Sequence, residues 1–466
     1  STSNLQKHSD ILDVIIDNST KLDFKSLTNA KEDSAIKLKE YRVYTILELI
    51  NTIEEKYGIY STENEIYIYN GYSWNVVDNN LFAQYLGKLA KKYGVPFVDS
   101  EDYIFKKNLV SQLMSKSFAN VPSSNIDIVN INLLNGTLEV NKGSYKLKPF
   151  DKNDYLHYQL SFSYDENASA ELWQRFLDEV LPEKECQLIL AEYIGYLFVK
   201  NGSSLKIEKI LALSGSGSNG KSVVNEVCRA LIGEKNTTSY SLENITSSSG
   251  RFPSQIENKL LNFPSETSVK INSDNLKLIA SGEPLSAMPI YKAPYIVKQY
   301  AKQIFNINMD LQAKEVTPAY YRRFIILPFD RTIKDSEKDI NLSKKITNKE
   351  LAGILNWALA GLDRLIANQS FTKSKLVDQA IEEFKKGTDS VMSFIHDENY
   401  FIIEGKTKLK QIYEDYQAYC GRDNLIAVSK KTFIQRIVNV EIKGIKIEKI
   451  VVSNARYLNI DSKHNF

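Results

Sequence analysis

A glycine-rich stretch, residues 215–222, restricts the fold of this chain more than any other feature. It reads Gly-Ser-Gly-Ser-Asn-Gly-Lys-Ser and stands between a strand-like apolar run, 207–214, and a helix-like run, 222–231. In the pattern G-x4-G-K-[ST] the glycines permit a tight turn whose N–H groups surround phosphate oxygens, the lysine reaches the β and γ phosphates, and the serine hydroxyl binds Mg²⁺. The alternative is a surface turn that contains an incidental lysine. We predict a nucleotide-binding loop in which ATP is held by Gly215, Ser216, Gly217, Ser218, Asn219, Gly220, Lys221 and Ser222.

Size and charge narrow the classes of protein that fit. The chain has 466 residues, of which 43% are hydrophobic and 25% are charged, so it can form several domains with apolar cores. Its net charge is only +2, which excludes a polycation that binds nucleic acid through bulk charge. Any nucleic-acid site must therefore be local.

The three cysteines, Cys186, Cys228 and Cys420, lie far apart in sequence, and the chain has four histidines. This spacing does not suit a zinc site, and we expect buried thiols in a reducing compartment. No apolar run has the length of a transmembrane helix, and the first ten residues lack the apolar core of a signal peptide. We therefore expect a cytoplasmic protein without a membrane partner. Because residue 1 is Ser, not Met, the natural chain can be longer.

Patterns along the chain divide it into six segments. Asn-Gly dipeptides at 70–71 and 135–136 are typical of hairpin turns, and apolar residues at helical spacing follow in 168–199. Strand-like and helix-like runs alternate in 207–331, and the order helix, helix, strands in 407–460 suggests a winged helix. The expected segments are a helical lead-in or linker, 1–60; an α+β unit, 61–165; a helical collar segment, 166–205; the α/β core, 206–335; a helical segment, 336–390; and a winged-helix-like unit, 391–466.

Two polar residues follow strand-like runs downstream of the loop. Glu266 comes soon after 260–263, and Asn308 ends the run 303–307. Hydrolysis of a nucleotide needs a carboxylate that positions Mg²⁺ or water, and Mg²⁺ takes oxygen ligands. We therefore predict that Glu266 and Ser222 hold the metal, against the alternative that Glu266 is a solvated loop residue.

The order of the motifs around the loop is more specific than any one of them. In chain order they are Tyr-Asn-Gly-Tyr-Ser-Trp (69–74), Trp-Gln-Arg-Phe-Leu-Asp-Glu (173–179), the loop, Glu266, the run that ends in Asn308, and Arg322-Arg323-Phe324. This order resembles that of superfamily 3 helicases, and most closely the poxvirus-type and phage or plasmid primase-helicase family. The resemblance covers about residues 60–460. It implies an AAA+-like P-loop core in an α/β fold, with an α+β helicase-associated domain before it and a winged helix after it.

The resemblance also implies roles for single residues. Asn308 would be the sensor amide that holds the attacking water, where the alternative is a strand-end cap. Arg323 would be an arginine finger that enters the neighbouring subunit's site. Arg322 is its rival, because adjacent residues on a strand face opposite ways. A finger that acts between subunits requires an oligomer, and the family implies a hexameric ring.

A hairpin between the acidic residue and the sensor strand contacts DNA in such rings, and here it would span about 287–301. Tyr291, Lys292 and Lys298 suit a grip on a phosphate backbone that does not read sequence, with Lys292 as the first choice. The alternative is a solvated basic face. In the tail, exposed lysines could dock duplex DNA through the winged helix.

The sequence therefore predicts an ATP-dependent, ring-forming DNA helicase of superfamily 3. It would serve replication of a phage, plasmid or other mobile element, in a bacterial host or a virus-infected cell. Its partners would be ATP, Mg²⁺, single-stranded or forked DNA, further copies of the chain, and a primase or polymerase. The alternatives are an origin-binding or loader ATPase that assembles on DNA without unwinding it, and a small-molecule kinase. Ser265 departs from the family pattern, because a second acid often stands there, and we find no primase-polymerase motif in the first 60 residues.

Overall fold

The computed structural model of the chain describes residues 8–54, 57–62, 64–118, 127–141, 143–215, 217–265, 273–290, 293–307, 318–334, 336, 338–423, 425, 427–452 and 455–462. These residues form helices, antiparallel sheets and a parallel sheet of five strands. The mixed α/β class predicted from the sequence is therefore confirmed.

Helices and a three-stranded antiparallel sheet form the amino-terminal part. Asp78 and Asp102 cap two of the helices, because their carboxylates accept bonds from the N–H groups of Leu81 and Phe105. The apolar sides of the helices pack with the sheet into one core. The elements are α1 (His8–Asn18), α2 (Phe24–Thr28), α3 (Leu38–Glu54), β1 (Gly58–Ser61), β2 (Ile66–Tyr69), β3 (Trp74–Val77), α4 (Asn79–Tyr93), α5 (Phe97–Glu101) and α6 (Tyr103–Ser117).

The turn between β2 and β3 is wider than the sequence predicts. Tyr69 pairs with Trp74, so four residues form the turn where the Asn-Gly dipeptide suggests two. The Asn70 side chain is the reason, because its Oδ1 accepts N–H bonds from Tyr72 and Ser73 at 3.0 and 2.8 Å. A local side-chain bond thus sets the turn geometry.

A second antiparallel sheet follows, with strand order β4-β5-β6. Leu133 pairs with Gly136, so its first turn has two residues, Leu134 and Asn135. Two helices come next, and Pro182 lies between them. These elements are β4 (Val129–Leu133), β5 (Gly136–Asn141), β6 (Ser144–Lys148), α7 (Glu171–Val180) and α8 (Lys184–Tyr196).

The five-stranded parallel sheet lies at the centre of the described chain. Its strand order is β13-β7-β12-β9-β8, so β12 lies between the strand that enters the glycine-rich loop and the strand that precedes Glu266. A two-stranded hairpin, β10–β11, is inserted before β12. The elements of this region are β7 (Ile210–Ser214), α9 (Lys221–Ile232), β8 (Thr237–Thr238), α10 (Leu242–Ile245), β9 (Leu261–Asn262), α11 (Ser273–Ser281), β10 (Leu285–Ala287), β11 (Tyr295–Val297), β12 (Lys302–Ile307), α12 (Pro318–Tyr321) and β13 (Phe324–Pro328).

Both faces of this sheet are buried. In β7, Leu211 and Leu213 face one core, whereas Ile210 and Ala212 face another. A parallel strand that is covered on both faces needs apolar residues at every position, because successive side chains point to opposite sides. This burial explains why the four residues 210–213 before the loop are all apolar.

Helices and three further strand pairs make up the carboxyl-terminal part. The strands form a three-stranded antiparallel sheet of order β14-β18-β17 and a small hairpin, β15–β16. The sheet packs with three helices around a core of its own. The elements are α13 (Leu342–Lys349), α14 (Leu351–Asn368), α15 (Lys375–Thr388), α16 (Ser390–Asp397), β14 (Tyr400–Lys408), α17 (Leu409–Arg422), α18 (Lys430–Ile437), β15 (Glu441–Ile442), β16 (Ile445–Lys446), β17 (Lys449–Val452) and β18 (Ala455–Ser462).

Helices α8 and α14 join parts of the chain that are distant in sequence. They pack against each other so closely that a Cβ atom on Gly195 would lie 2.5 Å from the carbonyl oxygen of Ala358. Nearby, both carboxylate oxygens of Glu350 accept N–H bonds from Leu172 and Trp173, at 2.9 Å each, and so cap the start of α7. The segments before and after the parallel sheet are thereby connected.

Within the ranges given above, no helix is both long and apolar enough to cross a membrane. The same residues contain no group of three or more His, Cys, Asp or Glu side chains that could hold a metal ion. The cysteines are buried free thiols, as expected.

Candidate nucleotide-binding site

The glycine-rich loop joins the carboxyl end of β7 to the first residue of α9. Gly215 has φ +151° and Gly220 has φ +89°. A Cβ atom on Gly215 would lie 2.5 Å from the carbonyl oxygen of Phe329 and would collide with the Asn219 amide. At Gly220 it would lie 2.9 Å from Val180. Only glycine fits both positions, which gives a close-packed turn at the end of a buried strand.

Lys221 is held inside this loop. Its Nζ donates to the carbonyl oxygen of Gly215 at 2.7 Å and to Asn219 Oδ1 at 3.1 Å. Asn219 in turn donates from Nδ2 to the carbonyl oxygen of Phe329 at 2.9 Å. Only 9% of Lys221 is exposed, and this burial lowers the pKa of its ammonium. The loop therefore holds the Lys221 ammonium inside its turn, where it is partly desolvated. The next residue, Ser222, is exposed.

A second lysine, which the sequence analysis missed, contacts the outer side of the loop. Lys338 Nζ donates to Ser218 Oγ at 3.2 Å, and the N–H of Ile333 donates to the carbonyl oxygen of Ser218 at 2.7 Å. Lys338 lies 120 residues from Ser218 in sequence. No motif marks it, so only the fold brings it to the loop.

The strands beside the loop end at the same edge of the sheet. Asn306 and Ile307 of β12 pair with Leu213 and Ser214 of β7. The Asn306 side chain donates from Nδ2 to the carbonyl oxygen of Ser265 at 3.2 Å. The residues immediately before Glu266 and Asn308 therefore lie next to the loop, whereas Ser216, Glu266 and Asn308 themselves are outside the described residues.

Two further amides reinforce this edge and were also missed. Asn225 of α9 donates from Nδ2 to the carbonyl oxygen of Phe263 at 3.3 Å, and Asn306 links β12 to the same segment. Asn306 could have been found from the sequence, because residues two apart on a strand share a face and Asn308 was already a candidate. Asn225 lies on the loop helix with no comparable pattern.

The arginine pair lies at the opposite edge of the sheet. Strand β13 pairs with β7 in parallel, with Phe324 opposite Ile210 and Pro328 opposite Ser214. Because a strand rises about 3.3 Å per residue, the start of β13 lies roughly 13 Å from the loop of the same chain. Arg323 is 6% exposed, and its guanidinium lies 3.9 Å from the Glu208 carboxylate. Arg322 is exposed, and its carbonyl oxygen accepts a bond from the Lys209 ammonium.

The β10–β11 hairpin lies in the segment for which the sequence predicts a hairpin that contacts DNA. Strands β10 and β11 pair with Leu285 opposite Val297 and Ala287 opposite Tyr295. Lys298 is exposed directly after β11, whereas Tyr291 and Lys292 are outside the described residues. Exposed apolar side chains, unforeseen from the sequence, lie on the hairpin and before residue 291; they are Met288, Ile290 and Ile296.

Comparison with known proteins gives two matching family models. Residues 46–182 match the model described as D5 N terminal like. Residues 213–323, from the end of β7 to Arg323, match a family of unknown function, DUF5906. The second match thus contains the loop, the three strand ends beside it and the arginine pair.

A curated protein of Acanthamoeba polyphaga mimivirus, described as putative helicase L207/L206, is 26% identical over 260 residues. These residues are 50% of this chain and 26% of the relative, so the match spans about a quarter of the relative's length. Together with the D5-type match, this similarity supports a relationship to primase-helicase-like proteins.

Solved structures that resemble the fold include two apo structures of the NrS-1 C terminal region. They are 11% and 12% identical, with TM-scores of 0.46 and 0.43, and each comparison covers 90% of this chain and 99% of the other. Because these TM-scores are below 0.5, nothing about function follows from them.

Proposed function

We propose that this chain is the ATP-hydrolysing subunit of a DNA helicase of superfamily 3 that serves replication of a virus, phage or plasmid. One observation carries the proposal. The Lys221 ammonium is fixed inside a glycine loop at the edge where β7, β12 and β9 end together. In open parallel sheets, ligands bind at this carboxyl edge.

ATP and Mg²⁺ fit the residues that are present. The loop has no room for a Cβ atom at Gly215, because the Asn219 amide and the Phe329 carbonyl oxygen pack against it. This packing would fix the course of a loop whose N–H groups bind phosphate. Lys221 and the exposed Lys338 provide positive charge at the loop, and the exposed Ser222 hydroxyl offers an oxygen ligand. Ser222 and Glu266 would hold Mg²⁺, which neutralises charge on the phosphates when it is bound.

In the hydrolytic step, Lys221 stabilises negative charge on the phosphates more strongly than a solvated lysine would, because it is partly buried. Asn306 fixes the segment before Glu266 against the end of β12. Glu266 and Asn308, which follow the neighbouring strands β9 and β12, would then orient the attacking water. Proton transfer from this water would go to the Glu266 carboxylate.

The arginines support an active oligomer. Both lie across the sheet from the loop of their own chain, so either would reach a phosphate only in a neighbouring subunit. We favoured Arg323 from the sequence, but its burial beside Glu208 and the exposure of Arg322 make Arg322 the better candidate. A ring of identical subunits, with six as the family's number, gives each loop such a neighbour.

DNA would be contacted by the β10–β11 hairpin through Tyr291, Lys292 and Lys298. The order helix, strand, helix, helix and then four strands, from α16 to β18, supports the proposed winged helix, whose lysines would add a duplex contact. The resemblance to a putative helicase, described above, supports unwinding as the use of the hydrolysis.

The test is ATP hydrolysis with and without single-stranded DNA, followed by strand separation on forked DNA. Lys221→Ala should abolish turnover, because the loop loses its cation. Lys206→Ala is the matched control, since Lys206 is an exposed lysine outside the loop. DNA-stimulated hydrolysis and unwinding that disappear only in the Lys221 variant are expected.

If oligomers form but the rate of ATP hydrolysis does not change when DNA is added, the helicase proposal is overturned and a loader ATPase is favoured. Strong binding to one duplex sequence without strand separation would favour the origin-binding alternative. Phosphate transfer from ATP to a small molecule would indicate a kinase.

A further inference from the structure

A groove of about 1010 Å³ opens beside the β10–β11 hairpin. Four parts of the chain form its walls: the β2–β3 hairpin of the amino-terminal sheet, residues 157–159, the segment 235–259 and the turn end of the β10–β11 hairpin. Ligand pockets usually measure about 300–1,000 Å³, so this groove has room for more than one nucleotide unit. It is separate from the glycine loop, whose residues do not line it.

Basic side chains lie along one wall. Lys235 and Arg251 are exposed, and neither forms an ion pair within the part of the chain that the structure describes. Lys259 is half-buried, its Nζ donates to the carbonyl oxygen of Lys235 at 2.6 Å, and burial lowers the pKa of its ammonium. The wall thus presents cations without carboxylate partners, which is what a phosphate backbone requires.

Aromatic rings and an amide also line the groove. The rings of Tyr240 and Phe252 are 5.5 Å apart at 63°, and both are half-buried. Tyr295 is also half-buried, and its hydroxyl donates to Glu257 at 2.6 Å. Gln255 accepts a bond from the Tyr240 hydroxyl at 3.4 Å and remains exposed. Such rings offer faces for stacking, and the amide offers both a donor and an acceptor to base edges.

The groove is connected to the hairpin by backbone bonds on both sides. The N–H of Met288, after β10, donates to the carbonyl oxygen of Gly250 at 2.7 Å. The N–H of Asn258 donates to the carbonyl oxygen of Gln299, after β11, at 3.0 Å. A strand lying in the groove would therefore share its wall with the element proposed to move DNA.

From this arrangement we propose that the groove binds a short segment of single-stranded DNA, with phosphates along Lys235, Arg251 and Lys259 and bases against Tyr240, Phe252 and Tyr295. The proposal rests on the proposed function, because it assumes a DNA substrate. It adds a second contact to that of the hairpin tip and gives the amino-terminal sheet a wall of the DNA path.

The experiment measures affinity for a fluorescent oligo-dT as a function of salt concentration. The oligonucleotide has about 30 nucleotides, which is longer than the few nucleotides that one binding site covers. The wild-type chain is compared with Lys235→Ala/Arg251→Ala. The matched control is Lys116→Ala/Lys206→Ala, which removes two exposed lysines that do not line the groove. All three are made in the Lys221→Ala background as well, so that binding is measured without hydrolysis.

We expect the groove variant to bind about tenfold or more weakly and its salt slope to fall by about 0.7 for each lost phosphate contact. The control should bind as the parent does. Iodouridine placed in the oligonucleotide should cross-link to Tyr240, Phe252 or Tyr295, as mapped by mass spectrometry.

Unchanged affinity of the groove variant, with cross-links confined to other regions, would overturn the proposal that the groove binds DNA. DNA-stimulated hydrolysis, and so the proposed function, would remain. A changed oligomeric state with unchanged DNA affinity would show a subunit contact instead, and preference for RNA of the same sequence would contradict the DNA assignment. Absence of both DNA binding and DNA-stimulated hydrolysis in the wild type would reject the proposed function itself.

Discussion

Gly215 and Gly217 of the glycine loop both have positive φ, yet their surroundings differ. Gly215 is enclosed by Phe329 and Asn219, whereas no atom lies within 4 Å of a Cβ placed on Gly217. Gly215→Ala should therefore destabilise the protein by about 1–3 kcal/mol more than Gly217→Ala, because it adds a collision to the backbone strain common to both. Denaturant unfolding of the two variants measures the difference. Equal losses would mean that the loop relaxes around the added methyl group.

Lys302 gives a pH-dependent prediction. It lies at the start of β12, where its ammonium donates to Asn201 and burial lowers its pKa to about 7. Since the unfolded chain holds this proton up to about pH 10.4, the unfolded state binds more protons above pH 7. Stability should therefore rise between pH 7.5 and 9.5, by at most about 1.4 kcal/mol per pH unit from this group.

Lys302→Met should remove this contribution, because methionine has no titrating group but keeps an unbranched apolar side chain that is only one atom shorter. The measurement is the free energy of unfolding of both proteins across that interval, and the quantity of interest is their difference. A difference that does not change with pH would show that Lys302 keeps an ordinary pKa.

Some residues of the site follow from the sequence and some cannot. Lys221 and the loop glycines are fixed by spacing, because a phosphate loop needs each of them at its position. Lys338 and Asn225 contact the site only through the fold, so no local pattern announces them. Arg322 is exposed and Arg323 is buried, and alternation on a strand does not predict which of the two faces outward.

At the scale of elements, the β10–β11 hairpin exposes apolar residues that its own packing does not need. Ile290 is 61% exposed and Ile296 is 56% exposed. Ile290→Ser/Ile296→Ser should leave the melting temperature nearly unchanged, because little buried surface is lost. If the hairpin grips DNA, the variant should lower DNA-stimulated hydrolysis severalfold and leave DNA-free hydrolysis as it was. Loss of both activities together would indicate damage to the ATPase core instead.

In the parallel sheet, strands that contain an apolar run were predictable, and the strand without one was not. β7 and β13 are mostly apolar and buried on both faces, so their composition marks them, whereas only Ile304, Phe305 and Ile307 mark β12. β8 has two residues, and its pairing depends on neighbours that sequence periodicity does not contain, whereas the apolar run 260–263 marked the position of the two-residue β9. β14 was missed because half-buried and exposed positions alternate irregularly along it.

At the scale of the whole molecule, the separation of arginines and loop predicts complementation between subunits. Lys221→Ala and Arg322→Ala should each be inactive, because every site lacks one of its two cations. An equal mixture should regain roughly a quarter of the sites, those that combine an intact loop with an intact neighbour. Hydrolysis by the mixture, compared with each variant alone, measures this recovery.

The same mixture made with Arg323→Ala decides between the two arginines. If hydrolysis recovers in the mixture of Lys221→Ala with Arg322→Ala but not in the mixture with Arg323→Ala, Arg322 is the residue that acts on the neighbouring subunit. A mixture that stays inactive with both variants would contradict a site shared between subunits.

The close contact of α8 with α14 also limits how the gene can be shortened. These helices lie on either side of the parallel sheet in sequence, and Gly195 and Gly361 let their backbones meet. A nonsense mutation or protease cut between β13 and α14 would strip α8 of its partner and leave its small residues facing water. We expect such a shortened product to be degraded more readily than a chain that keeps α14, because the apolar side of α8 would be exposed to water.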